Sequence, residues 1–123
     1  MEEIKEAEEV KKISLFYDRK NGIFPYQKWY SRLDNSVSKI VSKRVDRVRI
    51  GNYGVHRFLK GGVIELKLDQ GLRVYLAEAG NDVVLLFCGG DKSDQQKDIE
   101  KAREYRKILG EKGLDYCLGK DLK

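Results

Sequence analysis

The chain has 123 residues, 41% of them apolar and 10% aromatic, which is enough for one folded core and too little for two. Twenty-five Lys and Arg face 20 Asp and Glu, so the net charge is +5 with a single His. These figures exclude a chain that is disordered throughout, and the longest apolar run, Val83 to Cys88, is far short of a membrane span.

The N-terminus, MEEIKEAEEVKK, lacks the apolar stretch of a secretory leader, so a cytoplasmic chain with no membrane partner is expected. Its residues 2–11 are helix formers in a run too short to be stable alone. Ile13, Leu15 and Tyr17 alternate with Ser14, Phe16 and Asp18 as a first strand, and Asn21-Gly22 turns the chain. Pro25 opens a helix in which Tyr26, Trp29, Tyr30 and Leu33 recur at helical spacing. Asp34 or Asn35 caps a second helix with Val37, Ile40, Val41, Val45 and Val48 on one face and Gly51 at its end. The short link between them predicts an antiparallel helical hairpin.

From Val55 the period changes from 3.6 to 2. Val55–Lys60, Val63–Leu68, Leu72–Ala79 and Val83–Cys88 read as four strands separated by glycine-containing turns. The last is apolar on both faces and should be central. Ser93 and Gln96 form a capping box for a final helix whose Ile99, Ala102, Tyr105, Ile108 and Leu109 pack inward, with Gly110 as its stop. The expected order is β-α-α-β-β-β-β-α, an α+β chain with one mostly antiparallel sheet, the helical hairpin towards its N-terminus and a C-terminal helix.

Charge is uneven along this order. Residues 19–60 hold eleven Lys and Arg against Asp34 and Asp46, including Lys39, Lys43, Arg44, Arg47, Arg49, Arg57 and Lys60. Such a stretch fits either a nucleic-acid-binding surface or a solvated helix face. Turn lengths add a sharper expectation. A two-residue Gly61-Gly62 loop would set His56 opposite Lys67 and Phe58 opposite Glu65. A three-residue Asp69–Gly71 loop would set Lys67 opposite Arg73 and Glu65 opposite Tyr75. His56, Lys67 and Arg73 would then form one cross-strand row, and like charges side by side invite an anion between them. The plainer alternative is that Glu65 neutralises the two cations.

A row of this kind suits metal-free RNA cleavage by the ribose 2′-OH. Arg73 would clamp the phosphate, Lys67 and Lys92 would support it, and His56 could move a proton near neutral pH. Phe58 and Tyr75 would be placed to stack an unpaired base. No Walker loop, GxGxxG or HExxH is present, and Cys88 and Cys117 make neither a disulfide framework nor a zinc site, so no metal or cofactor is expected.

The string GGVIELKLDQGLRVYLAEAGNDVVLLFCGGDKSDQQKDIEKAREYRKIL, with FPYQKWYSRL and RVDRVRIGNYGVHRFLKGG before it, resembles the RelE/ParE toxin superfamily. It is most similar to the HigB-like addiction module killer subgroup of type II toxin–antitoxin systems. The likeness covers residues 13–109, which would make 1–12 a helical extension and 110–123 a tail. It implies a RelE-like fold with two helices on one sheet face and a basic pocket on the other. It also implies ribosome-dependent mRNA endoribonuclease activity, or gyrase inhibition in the ParE branch, and a cognate helix-turn-helix antitoxin. By motif, GxRVY supplies Arg73, the ELR position falls on Lys67, and DKSxQ supplies Lys92 and Gln95. The superfamily's C-terminal catalytic tyrosine has no counterpart at a matching place. The expected reading is a toxin acting on mRNA and the ribosome, with Lys39, Lys43, Arg44, Arg47 and Arg57 facing RNA. The alternatives are an inhibitor that acts by binding alone and a plain RNA-binding module.

Overall fold

The computed structural model describes residues 10–119. Its five strands are β1 (Lys12–Leu15), β2 (His56–Leu59), β3 (Val63–Lys67), β4 (Arg73–Ala79) and β5 (Val83–Gly90). They form one sheet in the order β1-β5-β4-β3-β2, with β1 parallel to β5 and the other neighbours antiparallel. Four helices accompany it: α1 (Pro25–Tyr30), α2 (Asn35–Val48), α3 (Gln95–Lys112) and α4 (Leu114–Cys117).

This architecture corrects the expected mostly antiparallel sheet with an N-terminal helical hairpin. The sheet is mixed, a strand precedes the first helix, and the longest helix, α3, lies at the C-terminal end. Hairpin turns announce antiparallel neighbours locally, whereas Lys12 pairs with Val83 across some 70 residues with no turn to signal it. The expected helix over residues 2–11 falls almost wholly outside the described residues.

Each face of the sheet buries its own core. Tyr26, Val41, Val45 and Val48 pack with Ile64, Leu66, Val74 and Leu86 on the α1–α2 face. Tyr75, Ala77, Leu85, Phe87 and Cys88 pack with Ile99, Ala102, Tyr105 and Leu109 on the α3 face. A register shift at Tyr75/Leu76 turns both Phe87 and Cys88 to the α3 side, where Phe16 stacks on Tyr105 with ring centroids 4.4 Å apart.

Two local expectations are also corrected. Ser93 does not cap α3. It sits in a 3₁₀ turn (Lys92–Asp94), where Asp91 Oδ1 accepts its N–H at 2.9 Å and its hydroxyl at 2.6 Å. The helix runs through Gly110, since one glycine costs a helix only about 1 kcal/mol, and stops at Gly113 with φ of 86°. In the segment after α3, Cys117 is fully buried, and its carbonyl accepts the Tyr17 N–H at 2.7 Å.

Candidate functional site

The site grows from one buried carboxylate. Glu65 lies mid-strand in β3 with no exposed surface, a position that an ionised group holds only when donors surround it. Arg57 Nε donates to its Oε1 at 2.6 Å, while Tyr75 OH and Gln95 Nε2 donate to Oε2 at 3.0 and 2.9 Å. Burial alone would raise its pKa. The bonds from Arg57, Gln95 and Tyr75, with the Arg57 charge, outweigh that and hold it below the ordinary carboxylate range.

Arg73 joins this network through its charge, as an ion pair with Glu65. Its side chain is only 11% exposed, its Nη1 donates to the Gly71 carbonyl at 2.7 Å, and its Nε lies 3.7 Å from Glu65 Oε2. That buried Nε has no hydrogen-bond partner among the described residues. Lys67 is directly opposite Arg73 across β3–β4, and the Lys92 Cβ lies 3.7 Å from where a Cβ on Gly71 would be. Three cations, Lys67, Arg73 and Lys92, thus gather at one end of the α3 face, beside a carboxylate already satisfied by other donors.

The β3–β4 register follows the expected turn length, but β2 is offset by one residue. Leu59 pairs with Val63, Arg57 with Glu65 and His56 with Leu66, closing a turn of Lys60, Gly61 and Gly62. The shift has a clear cause. The two-residue loop would set Phe58 against a buried carboxylate, whereas the observed register sets Arg57 there. His56 and Phe58 therefore leave the row and sit on the opposite side of the sheet from Lys67 and Arg73. His56 Nδ1 contacts the Gly54 carbonyl at 2.7 Å, and its ring lies edge-on to Tyr53 and Phe58. Tyr75 is fully buried and bonded to Glu65, so it offers no face to a base, while Phe58 is 70% exposed.

A protein from Haemophilus influenzae (strain ATCC 51907 / DSM 11121 / KW20 / Rd), described as an uncharacterized protein, is 40% identical over 88 residues. The match takes in 69% of this chain and 89% of that protein. The chain belongs to its family. No family model matches the chain.

In this member of the family the other basic residues divide by role. Lys39, Lys43 and Arg47 are exposed on α2, and Lys43 and Arg47 line a cleft of about 260 Å³ against Leu68 and Asp69. Arg44 is structural. Its guanidinium donates to the carbonyls of Tyr53 at 2.9 Å, Lys67 at 2.6 Å and Val55, tying α2 to the ends of β2 and β3. A Cβ on Gly54 would come within 2.6 Å of Arg44 Nε, and this glycine also takes φ of 64°. Helical spacing marked Arg44 as basic, but nothing in the sequence pointed to the carbonyls it bridges.

Among the described residues no group of His, Cys, Asp and Glu is arranged to hold a metal ion, and no helix is long and apolar enough to cross a membrane.

Proposed function

We propose that the protein is the toxin of a type II toxin–antitoxin pair, of the RelE/ParE kind. It works in the cytoplasm and cleaves mRNA on the ribosome by attack of the ribose 2′-OH. Arg73 carries this reading. It is a guanidinium held in place by the Gly71 carbonyl and by its ion pair with Glu65, faced by Lys67 and neighboured by Lys92. A group so held is organised before substrate arrives, which is what stabilising charge on a phosphoryl oxygen requires. Lys67 and Lys92 add attraction for the phosphate, and the exposed Lys39, Lys43 and Arg47 of α2 supply a second basic surface for ribosomal RNA. The motif likeness adds the helix-turn-helix antitoxin as the partner that restrains it.

The test is primer extension on mRNA from a translating extract that receives wild-type protein or Arg73→Ala. Codon-phased cuts with the wild type and their loss in the variant support the reading. Arrested translation with intact mRNA overturns it. That second outcome favours inhibition by contact, for which Val55 and Phe58, 68% and 70% exposed beside edge strand β2, supply an apolar surface.

A further inference from the structure

The row that holds Lys67 and Arg73 has a third position. Gly90 of β5 pairs with Arg73 of β4, so Lys67, Arg73 and Gly90 point to the same face. A Cβ on Gly90 would lie 2.0 Å from Oδ2 of Asp98 and 3.0 Å from its Cγ. The space that a side chain at 90 would fill is therefore taken by the Asp98 carboxyl, delivered from the first turns of α3. Gln95, three residues earlier and on the same side of the helix, reaches Glu65 and fixes the rotation of α3 over the sheet.

The carboxyl is half-buried, and among the described residues no hydrogen bond or ion pair holds its oxygens. It differs in this from Asp91, which is bound by Ser93, and from Glu65, which has three donors. Its oxygens, unlike the Nε of Arg73, are not sealed from solvent, so water or an incoming hydroxyl can reach them.

We propose that Asp98 is the proton-transfer residue of the site, an inference that rests on the RNA-cleavage reading above. Its carboxylate takes the proton of the 2′-OH as the 2′-oxygen bonds to phosphorus. The bond from phosphorus to the 5′-oxygen breaks, that oxygen takes a proton from water, and the products are a 2′,3′-cyclic phosphate and a 5′-hydroxyl. The proton held by Asp98 then passes to solvent. Arg73, one strand away, meets the charge that builds on the phosphoryl oxygens.

The surroundings suit that role. Burial raises the Asp98 pKa to about 6, as do Asp94 and Asp91, while Lys97 and Lys101 oppose the shift. Tyr75 from β4 and Cys88 from β5 also face it, and both are held protonated, pushed up by burial and, in part, by the Asp98 charge. A base of this pKa is ionised at neutral pH yet accepts a proton more readily than an ordinary aspartate.

The test is single-turnover cutting of mRNA on pre-assembled ribosomal complexes between pH 5.5 and 8, with wild type, Asp98→Asn and Asp98→Glu. The expected wild-type rate rises with pH through an apparent pKa near 6. Asp98→Asn should cut at least about 100-fold more slowly with that limb gone, and Asp98→Glu should recover part of the rate. A thermal melt of each variant shows that it is folded. Cutting by Asp98→Asn within about threefold of wild type overturns the proposal, and so does a wild-type profile without the acid limb. Wild-type protein that cuts nothing brings down the cleavage reading itself, and the proposal with it, before any variant is compared.

Discussion

Glu65 and Asp98 are two carboxylates on one face, and their surroundings push them in opposite directions. Glu65 is held below its ordinary pKa, so the folded state binds fewer protons there than the unfolded chain. Its contribution to stability is present above the unfolded carboxylate range, near pH 4, and is lost as pH falls through its folded value. Glu65→Ala, which leaves Arg57 and Arg73 facing an empty space, should cost about 3–5 kcal/mol in urea denaturation at pH 7. Asp98 has the reverse sign. Its folded pKa of about 6 lies above the unfolded value, so the folded state holds the extra proton and stability declines as pH rises from about 4 to 6. Asp98→Asn should remove that decline and be more stable than wild type at pH 8, by about 1 kcal/mol, since solvent screens a half-exposed carboxyl. A variant that gains stability while losing cutting is the mark of a residue kept for chemistry. Equal stability of the two proteins at pH 8 would show that the carboxyl is not strained by its site.

Among the elements, α2 is joined to β2 and β3 by apolar packing of Val41, Val45 and Val48 and, at the strand ends, by one polar side chain. Arg44 spans three backbone carbonyls that have no other side-chain donor among the described residues, although Val55 also accepts the Lys67 N–H at 2.9 Å. Arg44→Met should lower stability by about 2–3 kcal/mol, read as a shift of the urea midpoint with unchanged slope. Gly54→Ala should act in the same direction, because a Cβ there meets that guanidinium and the backbone is left-handed. Exposed Lys43 and Arg47 behave differently: Lys43→Gln with Arg47→Gln should leave the urea midpoint within about 0.5 kcal/mol but flatten the salt dependence of ribosome binding. An unaltered salt dependence would remove α2 from the RNA-facing surface.

Legibility also varied by element. The β3–β4 pairing could be read because the Asp69–Gly71 turn and the alternation of Leu66, Leu68, Val74 and Leu76 agree on one register. The β2–β3 pairing could not, since Lys60-Gly61-Gly62 admits two loop lengths and only the burial of Glu65 chooses between them. That one-residue difference moved His56 and Phe58 out of the expected row and brought Arg57 in. Asp98 was hidden for a related reason. In sequence it is one more charge on an amphipathic helix, and its neighbours Arg73 and Gly90 are set by strand pairing.

At the scale of the molecule, one sheet separates two basic regions. The α3 face holds Lys67, Arg73 and Lys92, and the α2 flank on the other side holds Lys39, Lys43 and Arg47. The segment after α3 packs on the fold: Cys117 is buried against the α3-face core, with Leu114, Tyr116 and Leu118 packed beside it, and the Arg19 guanidinium lies 4.0 Å from the Tyr116 ring centroid. Removal of residues 113–123 should lower the melting temperature by several degrees through lost apolar burial, with cutting retained below the new transition. Loss of cutting in a truncated protein still folded at the assay temperature would instead place part of the site in that segment.

In the proposed reaction, Lys67 and Arg73, with Asp98 over Gly90 in the same row, drive attack by a ribose hydroxyl. Its most direct test replaces one nucleotide at a mapped cut position in ribosome-bound mRNA with its 2′-deoxy form and compares the ends produced. Cutting should vanish at that position alone, and the unmodified RNA should yield a 2′,3′-cyclic phosphate and a 5′-hydroxyl. Cutting that proceeds unchanged through the deoxy position would contradict 2′-OH attack and remove the chemical role assigned to Asp98.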